Sequence, residues 1–166
     1  MNNGNISDLI ENVVKNVLDL QKIDNITLEI AKVLANLVEA KAKEIGVNAV
    51  VAVSNNGARP VLVECMDNSY IASYDVALNK AYTVVALKMP TIKLKELCQP
   101  GGPLYGIENT NNGQIVIFGG GDPLEIDGKI IGGLGVSGGS EEQDTLLSAY
   151  GAKVFKEIIK QKGRTA

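Results

Sequence analysis

The chain has 166 residues, of which 45% are apolar, and its formal net charge is −3. This length and composition suit one globular domain with a sizeable core. Lys and Arg are scattered rather than gathered into a basic stripe, and there is no Trp and only two Phe to stack on bases, so we expect no nucleic acid partner. No apolar run approaches the ~20 residues that span a bilayer, so we expect no membrane partner.

The cysteine and histidine content narrows the chemistry further. Cys65 and Cys98 stand far apart without a CxxC spacing, which predicts two reduced thiols and no metal site. The chain contains no His, so a Ser-His-Asp triad and an imidazole metal ligand are both excluded. Acid–base chemistry would fall to Asp, Glu, Lys, Tyr or Cys. The N-terminus lacks the pattern of a signal peptide, and we therefore expect a cytoplasmic location.

Two helices are predicted before the first strand. Residues 6–20 place apolar side chains at helical spacing opposite an acidic and polar face, with Asn5 as a plausible cap. The pattern breaks over residues 21–26, which predicts a boundary between an N-terminal segment (1–22) and the main domain (23–166). A second helix is expected from the N-cap Thr27 to Gly46.

The middle of the chain alternates strands and helices. Ala49–Val53 and Pro60–Cys65 read as two strands joined by a tight turn at Asn55-Asn56-Gly57. Residues 70–88 return to helical period, and Pro90 ends that helix. Thr91 is then expected to cap a short helix that runs through Leu97.

The C-terminal third is predicted to be rich in strands. A Pro/Gly segment over residues 99–103 interrupts regular structure. Three strands follow, over Gln114–Phe118, Leu124–Ile126 and Lys129–Val136. Ser140 and Gln143 form a capping box for a last helix that ends near Lys162. The sum is an α+β fold in which a five-stranded antiparallel sheet lies between helices, in α/β/α layers.

Two glycine-rich segments, 118–121 and 135–140, look like phosphate cradles. The second runs from a strand into a helix N-terminus, where backbone N–H groups attract anions. However, Glu141, Glu142 and Asp144 already occupy that first turn and would repel phosphate. No Lys follows the glycines as in a P-loop. We therefore interpret the glycines as residues of tight turns and close packing.

The loop from Gln99 to Glu108 is the more promising site, because stiff Pro/Gly loops often line pockets. Lys80, on the preceding helix, is a plausible cationic partner for Tyr105 and Glu108. These groups could bind a carboxylate or another polar small molecule, or form a hydrogen-bond network between subunits. The candidate ligand-binding residues are Lys80, Thr83, Gln99, Gly101, Gly102, Tyr105, Glu108 and Ser137.

Three segments together resemble one known family. They are residues 73–83 followed by Pro90-Thr91, residues 99–108 running on to 118–124, and residues 132–139 with Gln143-Asp144. In this order and spacing they resemble the GlcG/HbpS family, which includes the C-terminal domain of PduO proteins, over roughly residues 27–162. The resemblance implies a profilin-like fold, homo-oligomers from dimer to octamer, and binding of haem or a related tetrapyrrole such as cobalamin.

Because the chain has no His, the remaining candidate iron ligands are Cys65, Cys98, Met66, Met89 or a Tyr. The resemblance to PduO also implies a link to bacterial microcompartments. Residues 5–21 would then be an encapsulation peptide that contacts shell proteins, or else would pack at the oligomer interface.

The leading hypothesis is an oligomeric accessory domain that binds a small molecule, with a tetrapyrrole as the first ligand to test. One alternative is an enzyme that uses Lys80, Tyr105 and Glu108 on a small metabolite. The other is a purely structural oligomeric protein. The sequence leaves open whether the chain is an enzyme.

Overall fold

A four-stranded antiparallel sheet in the order β2–β1–β4–β3 forms the centre of the fold in a computed structural model that describes residues 24–162. The strands are β1 (Val50–Asn55), β2 (Pro60–Cys65), β3 (Gly121–Ile126) and β4 (Lys129–Ser137). The helices are α1 (Leu28–Glu44), α2 (Ser73–Leu87), α3 (Thr91–Leu97) and α4 (Glu141–Lys162). The predicted helix over residues 6–20 lies outside the described residues. Within them, no helix is long and apolar enough to cross a membrane.

The helices α1 and α4 cover one face of the sheet. Thr27 caps α1 as predicted, because its hydroxyl accepts a hydrogen bond from the Ile30 amide at 3.3 Å. The predicted capping box of α4 is also confirmed, with reciprocal bonds between Ser140 and Gln143. The apolar sides of both helices meet the sheet in the main core, which includes Leu34, Leu134 and Phe155.

The helix α2 covers the other face of the sheet at unusually close range. A Cβ added to Gly135 would lie 2.0 Å from the Ala77 carbonyl oxygen, and one added to Gly133 would lie 2.4 Å from the Ala81 carbonyl oxygen. The glycines at these two positions of β4 therefore let the α2 backbone lie almost against the strand. This approach brings the middle of α2, and with it Lys80, into the interior.

The fifth predicted strand is not confirmed. Gln114–Phe118 has no strand assignment, and the sheet of the described residues has four strands. Its backbone bonds to a helix instead: the Val116 amide donates to the Thr83 hydroxyl on α2 at 3.0 Å. A side chain thus takes the place of the neighbouring strand that the alternating pattern requires.

The predicted cap at Thr91 is wrong. Thr91 is the first residue of α3, and Pro90 precedes it as an N-cap residue without a side-chain hydrogen bond. The Thr91 hydroxyl accepts from the Gly121 amide at 2.9 Å and so fastens the start of β3 to α3. Gly121 is where β3 begins, three residues before the predicted start at Leu124.

Candidate functional site

Lys80 is completely buried, although its position on a helix suggested a cation open to a ligand. Its ammonium donates to the Asp144 carboxylate at 2.8 Å and to the Val136 carbonyl oxygen at 2.8 Å. The Phe118 ring centroid lies 5.0 Å from the same nitrogen. Burial lowers the pKa of Lys80, and the Asp144 carboxylate opposes that shift.

The glycine loop over residues 118–121 is fixed by groups from three helices. The Gly119 amide donates to Glu141 at 2.8 Å, and Glu141 also pairs with Lys95 of α3. These two contacts hold the pKa of Glu141 below its usual range, and the hydrogen bond from the Gly119 amide has the larger effect. A Cβ on Gly120 would lie 2.5 Å from the Lys80 nitrogen. The loop is therefore filled by protein groups, in agreement with the interpretation of its glycines as packing residues.

Thr83 and Ser137 are also interior residues. The Thr83 hydroxyl donates to the Asn79 carbonyl at 2.7 Å while it accepts from Val116. The Ser137 hydroxyl donates to the Ser73 hydroxyl at 3.1 Å, at the beginning of α2. Both side chains connect α2 to its neighbours within the fold.

The predicted loop forms a separate part of the surface. Gln99 is exposed and donates to the Lys95 carbonyl at 3.0 Å. Gly101 has a φ of +82°, which favours glycine, and a Cβ on Gly102 would lie 2.4 Å from the Leu97 carbonyl oxygen. Tyr105 is 65% exposed. The Oε2 atom of Glu108 is buried and has no hydrogen-bond partner among the described residues.

The predicted constellation is thus divided between two places. Gln99, Gly101, Gly102, Tyr105 and Glu108 share one loop. The hydrogen-bond partners of Lys80 lie on α4 and β4, and neither Tyr105 nor Glu108 is among them. As a binding site these residues remain a prediction.

The candidate iron ligands differ in accessibility. Cys98 is buried, and desolvation is the main reason why the pKa of its thiol is raised. The negative charge of Glu108 raises that pKa further. The Met66 sulfur accepts from the Ala49 amide at 3.2 Å, and Met89 packs against a buried apolar cluster. Cys65, by contrast, is exposed at the end of β2. Among the described residues, no group of three or more His, Cys, Asp or Glu could hold a metal ion.

Cys65 lines one of two adjoining clefts, which together we call the Asn48–Asn68 cleft because both asparagines line each of them. One cleft, of about 380 Å³, is also lined by Glu39, Lys43, Cys65, Met66 and Asp67. The other, of about 450 Å³, is also lined by Gly46, Val47, Tyr70, Gly138, Gly139, Ser140 and Gln143. Tyr70 is 72% exposed, and Ile71 beside it is 96% exposed.

The Asn48–Asn68 cleft was not predicted from the sequence as a site. Its residues come from three separate segments, 39–48, 65–70 and 138–143, that only the fold brings together. The one local signal is the adjacent pair Tyr70-Ile71, because these two large side chains stand just before the first residue of α2. In the sequence, Asp144 stands out as an acidic residue of a helix N-terminus and as part of the family resemblance, but not as the partner of Lys80.

Comparison with known proteins identifies a family and several relatives. The family described as "Haem degrading protein HbpS-like" matches residues 26–153. The 15.0 kDa protein of the dhaT-dhaS intergenic region of Citrobacter freundii is 46% identical over 138 residues, which cover 83% of this chain and 97% of that protein.

Two further similarities concern PduO. The corrinoid adenosyltransferase PduO of Salmonella typhimurium is 41% identical over 104 residues, which cover 63% of this chain but only 31% of that enzyme. A solved structure described as a PduOC:haem complex is 34% identical, with a TM-score of 0.75 over 78% of this chain and 94% of that one.

Proposed function

The chain belongs to the HbpS-like family, and from that membership we propose that it is an accessory protein that binds a tetrapyrrole, with haem as its first ligand. One observation carries the proposal: the similarity to the PduOC:haem complex extends over nearly the whole of that chain. The match to PduO covers only 31% of the enzyme, so we do not extend corrinoid adenosyl transfer to this chain.

The donor groups of the Asn48–Asn68 cleft fit such a ligand. The exposed thiol of Cys65 can serve as an iron ligand in its thiolate form, which needs no histidine. The exposed Lys43 ammonium lies in the same cleft and can pair with a carboxylate side chain of the macrocycle. Tyr70 offers an aromatic face for the ring. When bound there, haem would supply its own redox chemistry, while the protein would hold and orient it.

Titration of the purified protein with haemin, followed by absorbance, tests the proposal. We expect a saturable shift of the Soret band in the wild type and a changed or weakened spectrum in Cys65→Ser. Cys98→Ala is the matched control and should titrate like the wild type, because Cys98 is buried away from this cleft. A flat wild-type titration would contradict haem binding, and cobalamin is the second ligand to titrate. Bleaching of the Soret band with ascorbate would indicate haem degradation.

The enzyme alternative has less support from the geometry. Lys80 has no exposed surface and is bonded to Asp144, so it is not available for acid–base work on a metabolite. Tyr105 and Glu108 lie on the predicted loop, and Lys80 is not their cationic partner because its ammonium donates to Val136 and Asp144.

We also propose that the protein is a homo-oligomer and acts in a microcompartment pathway. The similarity to PduO supports the pathway. The exposed apolar side chains at the beginning of α2 support association, since a soluble monomer rarely leaves such a cluster uncovered.

A further inference from the structure

The strand β2 is one of the two outer strands of the sheet, and its outer backbone groups are open. The Met66 amide, directly after β2, donates to the Ala49 carbonyl oxygen beside β1 at 3.0 Å. Because backbone groups alternate in direction along a strand, the N–H and C=O groups of Val63 and Cys65 point away from the sheet. Within the described part of the chain, no backbone bond from another segment reaches these outward groups.

The other outer strand, β3, is protected against pairing, whereas β2 is not. In its middle, β3 contains Pro123, which has no N–H to donate, and a register shift after Leu124. In β2, by contrast, the proline is the first residue, Pro60, and the register shift follows it directly. From Leu62 onward β2 is regular, and its one charged residue is Glu64. The strand β2 is therefore the open edge of the sheet.

The two ends of β2 carry opposite charges. Arg59, just before the strand, is exposed and forms no salt bridge with another described residue. Near the other end, the Glu64 carboxylate lies beside Glu39 of α1. Desolvation raises the pKa of Glu39, and the negative charge of Glu64 raises it further, although Lys43 opposes the shift. The strand thus has a cation at its beginning and an excess of negative charge near its end.

An antiparallel neighbour with the same sequence fits this edge. The Asn55 amide donates to the Arg59 carbonyl oxygen at 2.8 Å, so Arg59 faces β1 as Glu64 does, and the two side chains share one face of the sheet. Within one chain, about 15 Å of extended strand keep Arg59 and Glu64 apart. Between two antiparallel copies, each Arg59 lies near the other Glu64. An axis at Val63 also separates the two Glu64 carboxylates, which an axis at Glu64 would set directly opposite each other.

We propose that β2 pairs antiparallel with β2 of a second copy about a twofold axis at Val63, which joins the two four-stranded sheets into one. The Val63 amide of each copy donates to the Val63 carbonyl oxygen of the other, and Arg59 of each copy pairs with Glu64 of the other. Because both copies use the same surface, the contact closes in a dimer with the protected β3 at both outer ends. The inference rests on the proposed self-association but not on haem binding. Larger oligomers would use the apolar cluster at the beginning of α2.

Disulfide cross-linking of the full-length protein tests this pairing. In Val63→Cys/Cys65→Ser/Cys98→Ala the only thiol is at position 63. Its Cα atom should lie about 5.5 Å from that of the second copy, which is within the range of a disulfide. We expect a covalent dimer by intact mass after mild oxidation with copper phenanthroline. Lys153→Cys in the same background places an exposed thiol on α4 and should remain monomeric at the same protein concentration.

A charge swap tests the antiparallel direction. In the cross-linking variant, Arg59→Glu should slow dimer formation roughly fivefold, because a negative charge then meets Glu64 of the other copy. Adding Glu64→Arg should restore the rate, since the exchanged charges again face each other between the copies. Lys93→Glu, on the exposed surface of α3, makes the same charge change as Arg59→Glu and should leave the rate unchanged.

Three outcomes would overturn the proposal. Equal cross-linking at positions 63 and 153, with an oligomer still seen by light scattering, would mean that self-association uses another surface. A monomer mass without cross-linking would refute the proposed self-association as well, and would mean that the edge of β2 is solvated or is covered within one chain. A rate that Glu64→Arg fails to restore would exclude the antiparallel pairing of Arg59 with Glu64.

Discussion

At the scale of single residues, the buried Lys80–Asp144 pair is the feature with the largest expected effect on stability. Lys80→Met would leave the Asp144 carboxylate buried without its cation. We expect the free energy of unfolding to fall by about 3–5 kcal/mol, as for other broken buried pairs. Urea unfolding measures this loss.

A double variant separates the charge effect from lost packing. Lys80→Met/Asp144→Asn removes both charges, and the Asn carbonyl can still accept from the Gly139 amide, as Asp144 does at 2.9 Å. We expect it to recover part of the stability that Lys80→Met loses. If the double variant is no more stable than the single one, the unpaired carboxylate is not the cause.

The carboxyl group of Asp122 predicts that the free energy of unfolding depends on pH. Desolvation raises the pKa of its carboxyl above the usual 3.8, although the Ser148 hydroxyl donates to it at 2.6 Å. Because the folded state then binds the proton more tightly than the unfolded state, this group favours folding in acid. That contribution is lost as the pH rises from 3.8 through the folded pKa.

Asp122→Asn should therefore be more stable than the wild type at neutral pH, where the wild-type carboxylate is charged. The difference should shrink as the pH falls toward the pKa of the unfolded state. Urea unfolding at several pH values measures it, with Asp67→Asn on the exposed surface as the control. A constant difference at every pH would show that Asp122 does not titrate differently in the two states.

At the scale of elements, the Thr83 hydroxyl connects helix α2 to the segment 114–118 through backbone hydrogen bonds. In Thr83→Val the Val116 amide loses its acceptor in the interior. We expect a loss of about 1–3 kcal/mol and faster amide exchange at Val116. Thr83→Ser keeps the hydroxyl and should protect that amide. Equal exchange in the two variants would mean that another group holds the segment.

The contact between Thr83 and Val116 also shows which parts of the fold could be predicted from sequence patterns and which could not. Thr27, Ser140 and the hairpin turns act within a few residues, so the ends of α1, the start of α4 and the two hairpins could be predicted. Gln114–Phe118 alternates like a strand, but its backbone partner is Thr83, more than 30 residues away. Contacts of that separation leave no local signal.

The candidate site shows the same limit. Lys80 could be singled out as a special cation, but nothing near it in sequence indicates that Asp144, 64 residues later, is its partner. The glycines of β4 bring α2 so close to the sheet that Lys80 is covered. Likewise, Cys65 and Tyr70 line adjoining clefts only because the end of α1, the end of β2 and the start of α4 meet there.

At the scale of the whole molecule, the exposed apolar cluster Tyr70, Ile71 and Tyr74 predicts self-association. Ile71 is 96% exposed, and Tyr70 lies in the Asn48–Asn68 cleft, so a second subunit packed there would form one wall of the proposed ligand site. Ile71→Asp places a charge in the centre of this cluster and should reduce the oligomer to smaller species in size-exclusion chromatography with light scattering.

Ile92→Asp tests whether that loss is specific. Ile92 is 38% exposed and lines a different, apolar cleft with Leu146 and Ala149, on the side of α3. If association uses the start of α2, Ile92→Asp keeps the wild-type mass while Ile71→Asp does not. The reverse result would move the interface to the α3 side. If Ile71→Asp loses both its mass and its haem titration, subunit contact and ligand binding depend on the same surface, which is the outcome we expect from the position of Tyr70.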